Sequence, residues 1–185
     1  MNAKPASSQS LSANRSLYTL NLGSGINVNM GTRVLNLYGG GLLKQGGTAS
    51  TIYSSTGYLT AGGTGAGELI VQVASGTLLN LGTTIKNNPS SGVVSLVKAG
   101  GGTLNMGTNL ASTYTGTTLL NAGTLVMNGR QNLSANSLTI DGSSTLQATW
   151  TDASLYASPT SITINNGTIE RTVASATPTR FLTGG

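Results

Sequence analysis

An all-β fold of stacked parallel coils, a β-solenoid, is what this sequence predicts, and three observations carry the prediction. First, a strand–turn–strand unit recurs: Val73–Gly82, Val97–Gly107, Leu119–Gly129, Leu138–Gln147 and Ile162–Glu170 can be laid under one another. The Thr that opens the second strand of each stands at 77, 103, 124, 145 and 168, so successive steps are 26, 21, 21 and 23 residues. A period of that length without a helical pattern is the mark of a solenoid. Second, each burst alternates apolar and polar residues, as in Thr103-Leu-Asn-Met and Thr124-Leu-Val-Met, so one face points inward. Third, Gly makes up 27 of 185 residues and charged residues only 7%, with polarity supplied by Ser, Thr and Asn. Glycine suits tight corners, and stacked coils satisfy one another's backbones without a charge network.

Taken in order, Met1 to Asn14 reads as a polar tail, and residues 15–185 as one solenoid domain of about seven or eight coils, roughly 35 to 40 Å tall at ~4.8 Å per coil. Tyr18–Leu22, Arg33–Leu37 and Tyr58–Gly62 are weaker strand signals ahead of the clear repeats. From there the core is expected to hold columns of Leu104, Met106, Leu125, Met127, Leu138, Ile140, Leu146, Ile162, Ile164 and Ile169. Gly102, Gly123 and Gly167 are the turn glycines, with Thr103 and Thr124 opening the strands that follow the first two. Asn121, Asp141 and Asn165 occupy one corner in three successive units, where stacked side-chain amides are expected, Asp141 being the odd member. An antiparallel sandwich is the competing architecture, but its turns would fall every ~8 to 12 residues without the longer superperiod.

Composition also excludes. Disorder fits poorly with 37% hydrophobic residues and a net charge of +5. No apolar run approaches the ~18 residues of a membrane helix, so no membrane insertion of this segment is expected. Met1–Ser16 lacks the apolar stretch of a signal peptide, so the chain reads as cytoplasmic, or as a mature or excised piece of something longer. Without Cys there is no disulfide scaffold or thiolate metal site, and without His no Ser-His-Asp or Cys-His arrangement. Nine Lys and Arg residues are scattered, no two adjacent, and aromatics are 4%. A nucleic-acid site wants a basic stripe and stacking platforms, so no nucleic-acid partner is expected.

The segment Leu96–Gly129 carries a resemblance. Val97-Lys-Ala-Gly-Gly-Gly-Thr-Leu-Asn-Met, followed by Ser112-Thr-Tyr-Thr-Gly-Thr-Thr-Leu-Leu-Asn-Ala-Gly-Thr-Leu125, resembles the autotransporter-associated passenger repeat. The match is specific over about 30 residues and weaker from Arg33 to Gln147; Leu110-Ala-Ser departs from the family's usual step into the Tyr. The resemblance implies a right-handed parallel β-helix in a bacterial protein that is exported and displayed at the cell surface or released. The signal peptide and membrane barrel usual in that family are not found in this sequence.

Some parallel β-helices cleave polysaccharides, which takes clustered carboxylates or a calcium site. Here the acids are Glu68, Asp141, Asp152 and Glu170. Aligning the coils puts Glu170 against Gln147 and Asp141 against Asn165, on opposite sides of a corner, so they do not converge. The runs Gly39–Gly41, Gly62–Gly67 and Gly100–Gly102 neither open a helix nor precede Lys-Ser/Thr, and read as corners rather than phosphate loops. Tyr114, Trp150, Tyr156 and Phe181 either stack on sugars or, the commoner case, cover a corner or a solenoid end. The expectation is a non-enzymatic structural or adhesive module, extracellular or on a bacterial surface, without cofactor, metal or catalytic residues. The alternative is a carbohydrate-binding or polysaccharide-cleaving β-helix. Expected partners are a host or neighbouring cell surface and copies of the chain itself. Neither Met1–Asn14 nor Arg180–Gly185 offers an obvious cap, so head-to-tail stacking into filaments is one expectation and a longer parent chain the other.

Overall fold

A computed structural model describes residues 1–90, 92–107, 111–128, 133, 137–149 and 159–172, apart from the side chain of Arg171. All regular structure among them is β. The strands are β1 (Asn2–Ala3), β2 (Gln9–Ser10), β3 (Arg15–Leu22), β4 (Val28–Gly31), β5 (Val34–Lys44), β6 (Ser50–Ala61), β7 (Gly67–Val73) and β8 (Leu78–Ile85). They continue with β9 (Val94–Ala99), β10 (Thr103–Met106), β11 (Thr118–Leu120), β12 (Thr124–Met127), β13 (Ser137–Asp141), β14 (Thr145–Ala148), β15 (Ser161–Asn165) and β16 (Thr168–Arg171).

Each strand pairs in parallel with the strand one coil away. Long strands bend and serve two sides of the coil: β5 pairs with β6 through Val34–Leu37 and with β7 through Gly41–Lys44. The result is a solenoid with three sides. The first side stacks β1, the end of β3, the end of β5, then β7, β9, β11, β13 and β15. The second stacks β2, β4, the start of β6, then β8, β10, β12, β14 and β16. The third is formed by Arg15–Leu17, Val34–Leu37, Tyr58–Ala61 and the end of β8. The first level consists of two-residue strands and the last has no described third side, so the solenoid completes about six turns, slightly fewer than the seven or eight expected.

The core is a set of columns. On the first side Leu20, Leu42, Val71, Lys98, Leu120, Ile140 and Ile164 stack in register. On the second, Leu79, Leu104, Leu125, Leu146 and Ile169 form one column and Ile52, Leu81, Met106, Met127 and Ala148 another. Leu104, Met106, Leu125, Met127, Leu138, Ile140 and Leu146 are buried, as the repeat predicts. Ile162 and Ile169 are partly buried against that core, while Ile164 is 50% exposed. Ile164 keeps its place over Ile140 but lies in the outermost described level, where no described strand covers it.

Two local expectations need correcting. Thr103, Thr124, Thr145 and Thr168 do pair in one row, but their partner in the coil before is Leu78, not Thr77. The cause is corner length: from first-side column to strand opening the chain takes seven steps at Val71–Leu78, five at Lys98–Thr103 and four at Leu120–Thr124. Thr77 is spent in the longer corner, its hydroxyl donating to the Ala74 carbonyl at 2.7 Å. And Met1–Asn14 is no free tail: β1 pairs with β3 and β2 with β4, and Ala3 and Leu11 pack on the core. Backbone pairing recruits these residues although their side chains are mostly polar.

Candidate functional site

The chemistry of the chain concentrates at the corner between the first and second sides. There the segment Lys44-Gln-Gly-Gly47 and, two coils on, Lys98-Ala-Gly-Gly101 repeat one pattern. A β-strand alternates its side chains, and both lysines fall on inward positions, Lys44 1% and Lys98 0% exposed. A buried ammonium needs acceptors. Lys98 Nζ donates to the carbonyls of Ala99 (3.0 Å), Gly100 (2.7 Å) and Ala122 (2.9 Å). Lys44 Nζ does the same with Gln45 (2.5 Å), Gly46 (3.1 Å) and Gly23 (3.3 Å). Each lysine thus ties its own corner to that of an adjacent coil, upward for Lys98 and downward for Lys44. Three acceptors match the three protons of an ammonium. Burial lowers both amines from their ordinary 10.5, Lys98 to about 8.

Glycine gives the corner its shape. Gly100, Gly123 and Gly142 have φ of 73°, 70° and 59°, and Asn166, one coil beyond Gly142 in the same place, has φ 60°. At Gly123 the neighbouring coil comes so close that an added Cβ would stand 2.4 Å from the Gly102 carbonyl oxygen and 2.5 Å from that of Gly100. Gly123→Ala should therefore cost about 2–3 kcal/mol, from the left-handed backbone and the clash together. Gly46→Ala, with open space and no positive φ, should be close to neutral; urea midpoints of the two variants test the contrast.

The corner residues expected from sequence sort as follows. Gly102, Leu104 and Leu125 are buried, Thr103, Gly123, Thr124 and Gly167 half-buried, and Asn121 and Asn165 exposed. Asp141 and Asn165 pair in register, and the Asn165 amide donates to the Asp141 carboxylate at 2.9 Å. Asn121 holds the same position one coil earlier. Glu170 stands against Gln147, whose amide donates to it at 2.6 Å. These two carboxylates occupy the end of the first side and the outer surface of the second. Asp152, Arg130, Arg180, Trp150, Tyr156, Phe181 and the Arg180–Gly185 terminus lie outside the described residues. Among the described residues no three His, Cys, Asp or Glu side chains group together.

Tyr114 is a core residue rather than a surface platform. It is 1% exposed, its hydroxyl is 2.6 Å from Thr118 Oγ1, and Thr118 in turn donates to the Leu133 carbonyl at 2.9 Å. Burial pushes its phenol well above the usual tyrosine range, the Thr118 bond opposing. On the outer surface of the second side an amide ladder runs from Asn80 through Asn105 (2.9 Å) to Asn128 (2.5 Å), and Thr149 bonds the last of these.

Comparison of the chain with protein-family models, curated proteins and solved structures gives no match. The passenger-repeat resemblance of residues 96–129 therefore rests on those residues alone.

The inward lysines and the amide ladder were not foreseen. The available signal was Lys-x-Gly-Gly, present at 44 and again at 98. Its consequence is a pH dependence. Because the folded state holds Lys98 near 8 and the unfolded chain near 10.5, the unfolded state binds more protons between those values. Stability should rise with pH across that window, by up to ~3 kcal/mol from Lys98. Lys44 adds in the same direction; Tyr114 opposes once pH passes its ordinary 10. Urea denaturation from pH 7 to 10 should show the rise, and Lys98→Met should flatten it.

Proposed function

We propose that the chain is a non-enzymatic structural or adhesive module: a segment of an exported bacterial β-helix of the passenger-repeat type, displayed at the cell surface or released. The observation that carries this reading is the continuous parallel stack. It makes a rod in which the buried lysines, corner amides and Thr118 are all engaged in holding one coil to the next. The carboxylates support it too: Asp141 and Glu170 each face an amide partner, and Glu68 lies on the outer surface of the first side. Such a rod spaces or presents a contact surface and attaches to a host or neighbouring cell. Where no further coil of a parent chain continues the stack, copies meet end to end instead, since a free solenoid end presents strand edges and sparse charge opposes its approach little.

Two measurements test this. Electron microscopy of the purified chain at micromolar concentration should show fibres one coil-column wide; stable monomers by light scattering would remove the filament. Beads coated with the chain should adhere to bacterial or host cells above uncoated beads, and equal retention would remove the adhesive role.

A further inference from the structure

We infer that the corner between the first and second sides binds an acidic polysaccharide, along a groove that crosses three coils. The groove encloses about 510 Å³ and is lined by Gly47 and Ala49 of one coil, Gly76, Thr77 and Leu78 of the next, and Gly101, Gly102 and Thr103 of the third. A second recess of about 320 Å³ adjoins it, with Lys44, Gln45, Gly46 and Ala74 on its walls.

The electrostatics of this groove follow from the lysines beneath it. A trans peptide holds its C=O and N–H antiparallel. The carbonyls of Gln45, Gly46, Ala99 and Gly100 all point at a buried ammonium. The N–H groups of Gly46, Gly47, Gly100 and Gly101 therefore point away from it, towards the outside. Among the described residues no group accepts from these four N–H donors, although the strands on either side of the corner are paired. Gly46, Gly47 and Gly101 are exposed and carry no side chain to screen them. Successive outward N–H groups in a corner containing a left-handed residue make an anion-binding concavity. Here Gly47 and Gly100 supply φ of 86° and 73°.

Behind each concavity sits a cation without a described carboxylate beside it: burial is the only influence on either lysine's proton affinity. No described carboxylate offsets either ammonium's charge, and the low dielectric around it transmits the field to the groove. The two charged corners lie in the first and third of the three coils, with Gly76 between them, and Lys98 stands in the column of Leu42, two positions before Lys44, so the charges follow one another obliquely across the coils. The site suits an extended polymer with an anion on successive units better than one small ion. The hydroxyls of Thr77 and Thr103 and the free amides offer partners to sugar hydroxyls. No aromatic ring lines either recess, so stacking platforms for unpaired bases are lacking.

The partner class rests on the adhesive reading only for where the polymer is met. Binding in solution is tested apart from adhesion, so either can fail alone. The probes are polygalacturonate for carboxylates, dextran sulfate for sulfate esters, neutral dextran, and a single-stranded oligonucleotide, each titrated calorimetrically against the full chain. One or both acidic glycans should bind, more weakly as salt rises, and neutral dextran should not. Gly46→Glu combined with Leu78→Glu, both outside the core, should weaken binding at least about tenfold, while the same pair changed to Gln retains it. Thr103→Glu alone gives a second reading if the pair fails to fold by circular dichroism. No binding of either acidic glycan overturns the proposal. So does an oligonucleotide bound as tightly, which would reduce it to the net charge, or equal losses in the Glu and Gln pairs.

Discussion

Leu125→Asp should destabilise the solenoid by more than about 4 kcal/mol at neutral pH. Leu125 is 0% exposed and pairs with Leu104 on one side and Leu146 on the other. A carboxylate there has only aliphatic neighbours in its column, and neither of the inward lysines lies in that column. The loss should shrink as pH falls and the carboxyl is protonated, since a neutral acid is far cheaper to bury than an anion. Urea unfolding at pH 7 and pH 4 measures both effects. A variant as stable as the parent would mean that this column is not the core.

Lys98→Ala should cost roughly 2–5 kcal/mol, and Lys98→Met much less. Truncation to Ala leaves a void in the column between Val71 and Leu120 and removes the donor to three carbonyls that join two coils. Methionine refills the column and ends the cost of burying an ammonium; the half-exposed corner lets the freed carbonyls turn to water. The gap between the two substitutions, read from urea midpoints, separates packing from hydrogen bonding. If Met proves as damaging as Ala, the ammonium's bonds are the larger contribution.

The parallel stack could be read in advance because Thr103, Thr124, Thr145 and Thr168 repeat with the alternation of a one-sided strand. That pattern is imposed by the same register that pairs them in space. The facing of Glu170 with Gln147 and of Asp141 with Asn165 followed from it. Thr77 was misplaced by one residue because a corner can lengthen without changing the composition on either side. The pairing of Asn2–Ala3 and Gln9–Ser10 was invisible because it uses backbone groups, which every sequence has. The inward lysines stayed hidden for another reason. Alternation places Lys98 on the core face, but a lysine there contradicts the apolar rule unless the carbonyls of a glycine corner are known to be within its reach. Tyr114 likewise owes its burial to one hydroxyl partner, Thr118, four residues on.

The row Thr103, Thr124, Thr145, Thr168 joins residues that are 21, 21 and 23 positions apart, and this interval bears on how the chain acquires its structure. The entropy of closing a coil depends on the length of that coil and not on how many coils precede it. A finished coil presents a paired edge in fixed register, so the next needs only to be laid against it, and growth proceeds one neighbour at a time. Folding time should therefore rise gently with the number of repeats rather than with the span of the whole protein. A chain delivered end first could complete each turn as it arrives, without waiting for its far terminus.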